Sequence, residues 1–490
     1  MANQYDGTTH VRVAIIGAGP GGLCMAKELL DAGITDFTVL EKCAGVGGTW
    51  FINRYPGCAC DVQSALYSFS WELKTDWSRP YGTQPEILAY FEHIADKYAI
   101  LPHCRFTTEV VSAKWLEDES RWLLELSNGS SLVADVVVSA LGMFKDPTLP
   151  NIQGVKDFEG VTFHSSRWDW SQDLHGKRVA VIGTAASAVQ LVPKIVLEAG
   201  HVDLYQRTAN WILPKIDTPY SEEQLKEFRE NPDIIRNFRQ EIYTSMDAGM
   251  TFSDENAIAE REIIGLKVID VVEDPLVREQ LKPTHPWGCK RPLFSNEYYP
   301  AFNRSNLDLI TDPINHITSS GIVTDSGEER PVDIIVFATG YTTTKYVSAV
   351  SVTGRGGAHL DDVWEDGAMA YLGISTPGFP NLYMLYGPNT NNGSILTMIE
   401  SQVAHILAQL EWMDRDKLAW IDAKTEHMVA YNEDVQEGIS KITVWQADCS
   451  GYYTSRTGRN VTQWPFSMSE FARRTATINP DAYEVATVAS

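Results

Sequence analysis

Val11-Arg12-Val13-Ala14-Ile15-Ile16-Gly17-Ala18-Gly19-Pro20-Gly21-Gly22 is the stretch whose reading decides the fold. Its first six residues are almost continuously apolar, the pattern of a parallel strand buried on both faces. The glycine turn then leads into a helical pattern from Leu23 to Ala32. Gly17 permits the tight turn, Gly19 lets the backbone approach a pyrophosphate, and Gly22 lets helix and strand pack closely. The helix N-terminus offers unbonded N–H groups and a partial positive charge to phosphate. A second apolar run, Phe37 to Leu40, ends at Glu41, about 24 positions after Gly17. A carboxylate there accepts hydrogen bonds from ribose hydroxyls and repels a 2′-phosphate, so this site suits FAD or NAD rather than NADP.

The same pattern returns later in the chain. Lys177 to Ile182 repeats the strand, and Gly183-Thr184-Ala185-Ala186-Ser187-Ala188 repeats the turn, with Ala185 and Ala188 in the second and third glycine places. The strand that follows, Val202 to Gln206, ends on Arg207 and Thr208 instead of an acid. A guanidinium beside a hydroxyl suits a 2′-phosphate, which arginine can hold bidentately. The two sites are thereby distinguished: FAD at the first and NADPH at the second. An α/β fold is expected, with two Rossmann-like dinucleotide-binding domains.

Between and beyond the two turns the organisation can be read coarsely. Phe106 to Val111, Trp115 to Leu116, Trp122 to Leu126 and Ser131 to Val133 predict a short meander with a hairpin turn at Asn128-Gly129. Asp135 to Gly142 predicts a separate buried strand, and Pro147, Pro150 and Gly154 mark a linker. Residues 216–282 are poor in glycine and rich in charge, with helical spacings such as Leu225, Phe228 and Ile234, Ile235, Phe238. Val332 to Phe337 is a further buried strand, and an amphipathic helix is expected from about Ser394 to Met413. The expected division is an FAD-binding domain from 1–147 and 340–490, an NADP-binding domain from 148–215 and 283–339, and a helical insertion at 216–282.

Three loops carry candidate chemistry. Gly47 to Asp61 follows the ribose acid and could lie along a flavin, with Asp61 as an ionised group in need of a cationic partner. Trp287-Gly288-Cys289-Lys290-Arg291-Pro292 sets adjacent cations among aromatics. Lys290 is expected to meet the NADP phosphate, and Arg291 an anion at the flavin, pairing with Asp61 when idle. Phe158 to Asp169 lies between the two turns as an aromatic connector.

The bulk composition narrows the function classes. The 490 residues are 44% hydrophobic and 21% charged, an ordinary globular balance, and the formal net charge of −24 disfavours nucleic acid and anionic membrane as partners. No apolar run approaches the ~18 residues of a membrane span, and no leader precedes Val11. Seven cysteines without a CxxC pair fit reduced thiols in a cytoplasmic setting, with Cys58 and Cys60 as two buried thiols in a loop. No metal site is expected.

Taken together these residues resemble the flavin-containing and Baeyer–Villiger monooxygenases. The resemblance runs from about Val11 to Trp464. It rests on Phe158-x-Gly160-x-x-x-His164-x-x-x-Trp168-Asp169, on Gly47-Gly48-x-Trp50 with Tyr55-Pro56-Gly57 and Asp61, on Lys290-Arg291-Pro292 and on Ala338-Thr339-Gly340-Tyr341. It implies bound FAD, NADPH as hydride donor, O2 as co-substrate and a ketone converted to an ester or lactone through a flavin C4a-peroxide. For FAD it implies Gly17, Gly19, Gly22, Glu41, Thr49, Trp50, Asp61, Tyr67 and Val110. For NADP it implies Gly183, Thr184, Ala185, Ser187, Arg207, Thr208 and Lys290. Arg291 would stabilise the transition state, with Asp61 orienting it. Gly160 would permit a turn, Phe158 and Trp168 would anchor the connector, and His164 would hydrogen-bond across the domain junction. The tail segment Cys449-Ser450-Gly451-Tyr452 lacks a tryptophan common among relatives. The alternative is oxygenation of sulfides or amines by the same cofactor. A flavin disulfide reductase would need a redox-active cysteine pair, for which only Cys58 and Cys60 come near.

Overall fold

The computed structural model describes residues 8–249, 251–447 and 453–488. The opening stretch forms strand β1 (Thr9–Ile16) and helix α1 (Pro20–Asp31), which starts at the proline rather than at Leu23 because proline fits the first turn of a helix. Strands β2 (Phe37–Leu40) and β3 (Ser131–Ser139) flank β1 in parallel, with Ile15 opposite Val39 on one side and Val138 on the other. All four residues of β2 are buried, as its apolar sequence requires. Five further strands complete an eight-stranded sheet: Cys104–Arg105 at one end, Val110–Leu116, Arg121–Leu126 and Ser351–Thr353 towards the other, and Leu382–Met384 beside β3.

Two details differ from the expected meander. Phe106 to Glu109 is not strand, because Thr107 takes a φ of 50° and the Thr108 N–H turns to the Glu41 carbonyl at 2.9 Å. Residues 131–139 form one continuous strand rather than two. Asp135 does not interrupt it, since its carboxylate bonds sideways to His10 at 2.8 Å and Arg121 at 2.9 Å. The Asn128-Gly129 turn is present, with Gly129 at φ 82°.

The second sheet is wholly parallel. Strands β4 (Val161–His164), β5 (Arg178–Ile182), β6 (His201–Tyr205), β7 (Leu307–Ile310) and β8 (Ile334–Phe337) lie in the order β7-β6-β5-β8-β4. Helix α2 (Ala186–Ile195) follows β5 as α1 follows β1. The Phe158–Asp169 stretch is therefore more than a connector: it supplies the edge strand β4, with His164 opposite Phe337. Gly160 is needed there for close approach and not for a turn, because a Cβ would lie 2.5 Å from the Asp333 carbonyl oxygen and from the Phe158 ring.

Residues 216–282 are helical as expected, with α3 (Glu222–Glu230), α4 (Asp233–Gly249), α5 (Glu255–Ile269) and α6 (Pro275–Gln280). The chain passes between the sheets twice, after Ser139 and after Phe337. The two passages are bonded to each other: Thr148 N–H donates to Gly340 O at 2.8 Å and Thr342 N–H to Asp146 O at 2.9 Å. Helix α7 (Ile395–Asp416) packs its buried face, including Leu396, Val403 and Ile406, into the core shared with α1. Among the described residues no helix is long and apolar enough to cross a membrane.

Candidate active site

A cavity of about 1110 Å³ is lined by the C-terminal strand ends of both sheets, including Ile16 and Leu40 on one side and Ile182, Tyr205 and Ile310 on the other. Ligands of open α/β sheets bind at such ends. The volume exceeds the ~300–1,000 Å³ that suffices for a single drug-sized molecule. Every site residue expected from the sequence lines it except Gly22. Gly22 acts one layer down, where a Cβ would fall 1.9 Å from the Gly17 carbonyl oxygen.

The two ends of the cavity are built alike. Gly17 has φ 106° and its missing Cβ leaves room for the Ala140 carbonyl, while Gly183 has φ 111° and leaves room for the Ala338 carbonyl. Each turn glycine thus packs against one of the two passages between the sheets. No side chain caps α1 at Gly19 or α2 at Ala185, so their first N–H groups remain for an anion. Chemistry separates the ends. At the first, the buried Glu41 carboxylate is fixed by the Ala18 and Cys43 N–H groups, each at 2.7 Å, and keeps lone pairs for hydroxyl donors. Thr49, Trp50, Tyr67 and Val110 continue that wall, with Trp50 Nε1 donating to the Tyr67 hydroxyl at 2.9 Å.

At the second end Arg207 is exposed and Lys290 half-buried. Burial lowers the Lys290 pKa, and the charge of Arg207 lowers it further. Two cations held within each other's field are a site that an anion would relieve. Thr184 Oγ1 donates to Thr208 O at 3.0 Å, and the Asn210 amide donates to Thr184 O at 2.8 Å, which fixes the turn around Arg207 and Thr208. Ser187 lines the same end.

Between the ends stands an ion pair. Arg291 Nη2 donates to both Asp61 oxygens, at 2.7 and 2.6 Å, and Nε to Oδ2 at 3.2 Å. The Asp61 side chain is 23% exposed and Arg291 38%, so the guanidinium is partly shielded yet open to the cavity. The cysteines beside it are poorly suited to redox exchange: Cys58 and Cys60 are buried, and burial pushes the Cys58 thiol up to about 12 and Cys60 higher still.

The comparisons with known proteins follow from this geometry. A model of the flavin-binding monooxygenase-like family matches residues 10–348. The chain belongs to that family. A Baeyer–Villiger monooxygenase of Pseudomonas aeruginosa is 41% identical over 485 residues, covering 98% of this chain and 92% of the relative. One of Streptomyces coelicolor is 39% identical, covering 99% and 94%. Among solved structures, cyclohexanone monooxygenase from Rhodococcus sp. Phi1 bound to NADP+ is 29% identical, with a TM-score of 0.89 over 98% of this chain and all of that one.

One residue of this flavin-binding monooxygenase-like site gave no signal in the sequence. Gln190, on α2, accepts from the Tyr55 hydroxyl at 2.8 Å and donates to Ala59 O at 2.9 Å, tying the second turn to the Asp61 loop. Tyr341 donates to Asn53 at 2.6 Å across the same junction. His164 bonds locally through Nδ1, accepting the Ser166 N–H at 3.1 Å, and faces the second passage between the sheets, where its ring meets Tyr341 edge-on. Burial lowers its pKa, the Gly340 backbone opposing.

The reading of all seven cysteines as reduced is corrected at Cys289, which is disulfide-bonded. The Cys449–Tyr452 segment lies outside the described residues. Beyond it, Tyr453 lines the cavity, whereas Trp464 is fully buried in the core. One group of metal-ligand type occurs among the described residues, His201, Asp203 and Asp308, and the Arg330 guanidinium already bridges its two acids at 2.8 and 2.9 Å.

Proposed function

We propose that this chain is an FAD- and NADPH-dependent Baeyer–Villiger monooxygenase that inserts one oxygen of O2 beside a ketone carbonyl to give an ester or lactone. The observation that carries the reading is the Arg291–Asp61 pair lining one cavity with the buried Glu41 carboxylate and the Lys290 and Arg207 cations. The FAD-binding part comprises 1–147 and 340–490, the NADP-binding part 148–215 and 283–339, and 216–282 is the insertion. Five free thiols favour a cytoplasmic setting.

Glu41 would accept the FAD ribose hydroxyls, and the bare N-terminus of α1 would meet the pyrophosphate. Lys290, Arg207 and Thr208 would hold the 2′-phosphate of NADPH, and the Gly183–Ser187 turn its pyrophosphate. When bound, NADPH supplies hydride and FAD activates O2. Arg291 would present its guanidinium charge where the carbonyl oxygen gains negative charge as the activated oxygen adds to the carbonyl carbon. Asp61 keeps that guanidinium in place with both of its oxygens. His164 lies outside the cavity lining and supports the junction from behind.

The test offers the holoenzyme a methyl ketone beside a thioether with NADPH in air. Ester with one added oxygen is the expected product. Sulfoxide alone would replace this reading with oxygenation of soft nucleophiles.

A further inference from the structure

The helical insertion holds the loops that carry the two partners of the ion pair through polar clamps. On α4, Arg239 is 13% exposed and its Nη1 donates to three carbonyls of one loop: Ala65 at 3.3 Å, Leu66 at 2.9 Å and Ser68 at 2.7 Å. That loop continues directly from Asp61 and carries Tyr67. The other side of the guanidinium faces Glu400 of α7 at 3.6 Å, and Glu400 accepts the Ser70 N–H at 2.6 Å. On α5, the Glu262 carboxylate accepts the Trp287 N–H at 2.8 Å, four residues before Arg291. Next to it Gly265 lies flat against Trp211, where a Cβ would come within 2.8 Å of the ring. Trp211 in turn accepts the Leu293 N–H at 3.0 Å on its carbonyl, just past Arg291.

Of the 17 residues of α4 only Ile235 is fully buried among the side chains described, while Tyr243 and Met246 pack partly buried against the core and Phe238 against Phe228. Polar anchors add to this apolar seat, and Arg239, 13% exposed, is one of them. A second, Asp247, accepts from the N–H and hydroxyl of Ser469 at 3.1 and 2.6 Å.

We propose that the insertion sets the geometry of the Asp61–Arg291 pair by gripping both of its loops, with Arg239 and Glu262 as positioning residues. The inference rests on the role given to that pair above. Neither residue lines the cavity, so each acts on the reaction only through the loop it holds. Arg239 fixes the carboxylate side and Glu262 the guanidinium side, and the two helices that carry them are consecutive in the chain. Anything bound against the insertion would be felt at the pair.

The experiment measures coupling, the ester formed per NADPH consumed, for the FAD-loaded enzyme. Arg239→Gln, Arg239→Lys, Glu262→Ala and Glu262→Gln are each made in the natural chain and in an Asp61→Ala background. Displacing reacting groups by about 1 Å costs on the order of 100-fold, so Arg239→Gln and Glu262→Ala should lower coupling by about tenfold or more while flavin reduction by NADPH holds within about threefold. Arg239→Lys retains three donors and Glu262→Gln an acceptor, and both should restore most of the coupling. In the Asp61→Ala background, where no pair remains to be set, the same substitutions should lower coupling no further. Equal losses in both backgrounds, or a lowered melting temperature with coupling intact, would overturn the inference alone. An Asp61→Ala enzyme that stays fully coupled would overturn the reading of the pair itself, and this inference with it. Should Arg239→Gln fail to fold with flavin, the Glu262 variants carry the same test from the other helix.

Discussion

Replacing Lys290 with alanine should weaken the preference for NADPH over NADH, and the structure sets the size of the change. Lys290 is half-buried, and its pKa is lowered first by burial and then by Arg207. Its charge is therefore held at some cost that only a bound anion offsets. A hydrogen bond to a charged group contributes ~1.5–3 kcal/mol, and every ~1.4 kcal/mol is tenfold. Arg207 remains to hold part of the phosphate, so the lower end applies: KM for NADPH should rise about tenfold. NADH has no 2′-phosphate and its KM should move by less than about twofold. Saturating kcat should hold, because the phosphate end is remote from the transferred hydride.

The pH dependence follows in sign. A lysine with a lowered pKa loses its charge sooner as pH rises, so KM for NADPH in the unsubstituted enzyme should climb at alkaline pH. Arg207→Ala removes one cause of the lowering and should shift that climb to higher pH, although NADPH binds more weakly throughout. Initial rates of 340 nm absorbance loss with each coenzyme, across pH, measure all of this. If Lys290→Ala raises both KM values equally, or lowers kcat in step with kcat/KM, the phosphate assignment is wrong and the residue acts on its neighbour Arg291 instead.

Four other outcomes are expected. Arg291→Ala should still oxidise NADPH while ester formation falls by ~10²–10³-fold, the usual loss of one preorganised donor; full ester yield would remove Arg291 from the role. Gly22→Ala should purify without flavin, since its Cβ would sit 1.9 Å from the Gly17 oxygen, whereas Gly33→Ala, with φ 74° but nothing within 4 Å, should cost only ~1–2 kcal/mol in a denaturant melt. His164 has a folded-state pKa below its unfolded value, so its contribution to stability is present above the unfolded pKa and lost as pH falls from there through the folded pKa; His164→Gln should flatten the acid side of a Tm–pH curve relative to the unsubstituted chain. Native enzyme should keep its activity through mild thiol alkylation at neutral pH, because Cys58 and Cys60 are buried and protonated, and rapid inactivation tracking either thiol would restore the cysteine-pair alternative.

What the sequence made legible was governed by local rules. The two turns were readable because a positive φ at Gly17 and Gly183 and a clash at Gly22 leave no other residue free to stand there. Glu41, Arg207 and Lys290 were readable because charge at a strand end or beside a proline has few structural uses. Asp61 and Arg291 were paired on chemical need, and they are 230 positions apart in the chain. Contacts made by neutral polar residues were not readable. Gln190 and Asn53 look like any surface amide until the fold brings Tyr55 and Tyr341 to them. Strand β4 was missed although Val161-Thr162-Phe163-His164 alternates apolar and polar, because four residues are too short a run to separate a strand from a connector. Gly160 was assigned to a turn because sequence cannot separate a glycine needed for φ from one needed for space. Arg239 and Glu262 lay in a segment read only as a charge-rich helical insertion, where nothing separates one charged residue from another.

The placement of Leu382–Met384 beside β3 bears on synthesis. Val137 and Val138 are completely buried in the finished protein, and their partner strand emerges from the ribosome roughly 240 residues later. At ~5–20 residues per second that is roughly 12–50 s. Throughout this interval the nascent first sheet carries an open hydrophobic edge, the kind that recruits foreign strands. The second sheet, whose five strands end at Phe337, is complete before that edge is covered. Slow translation or truncation upstream of Leu382 therefore leaves the second sheet complete and the first with an uncovered edge at Val137–Ser139.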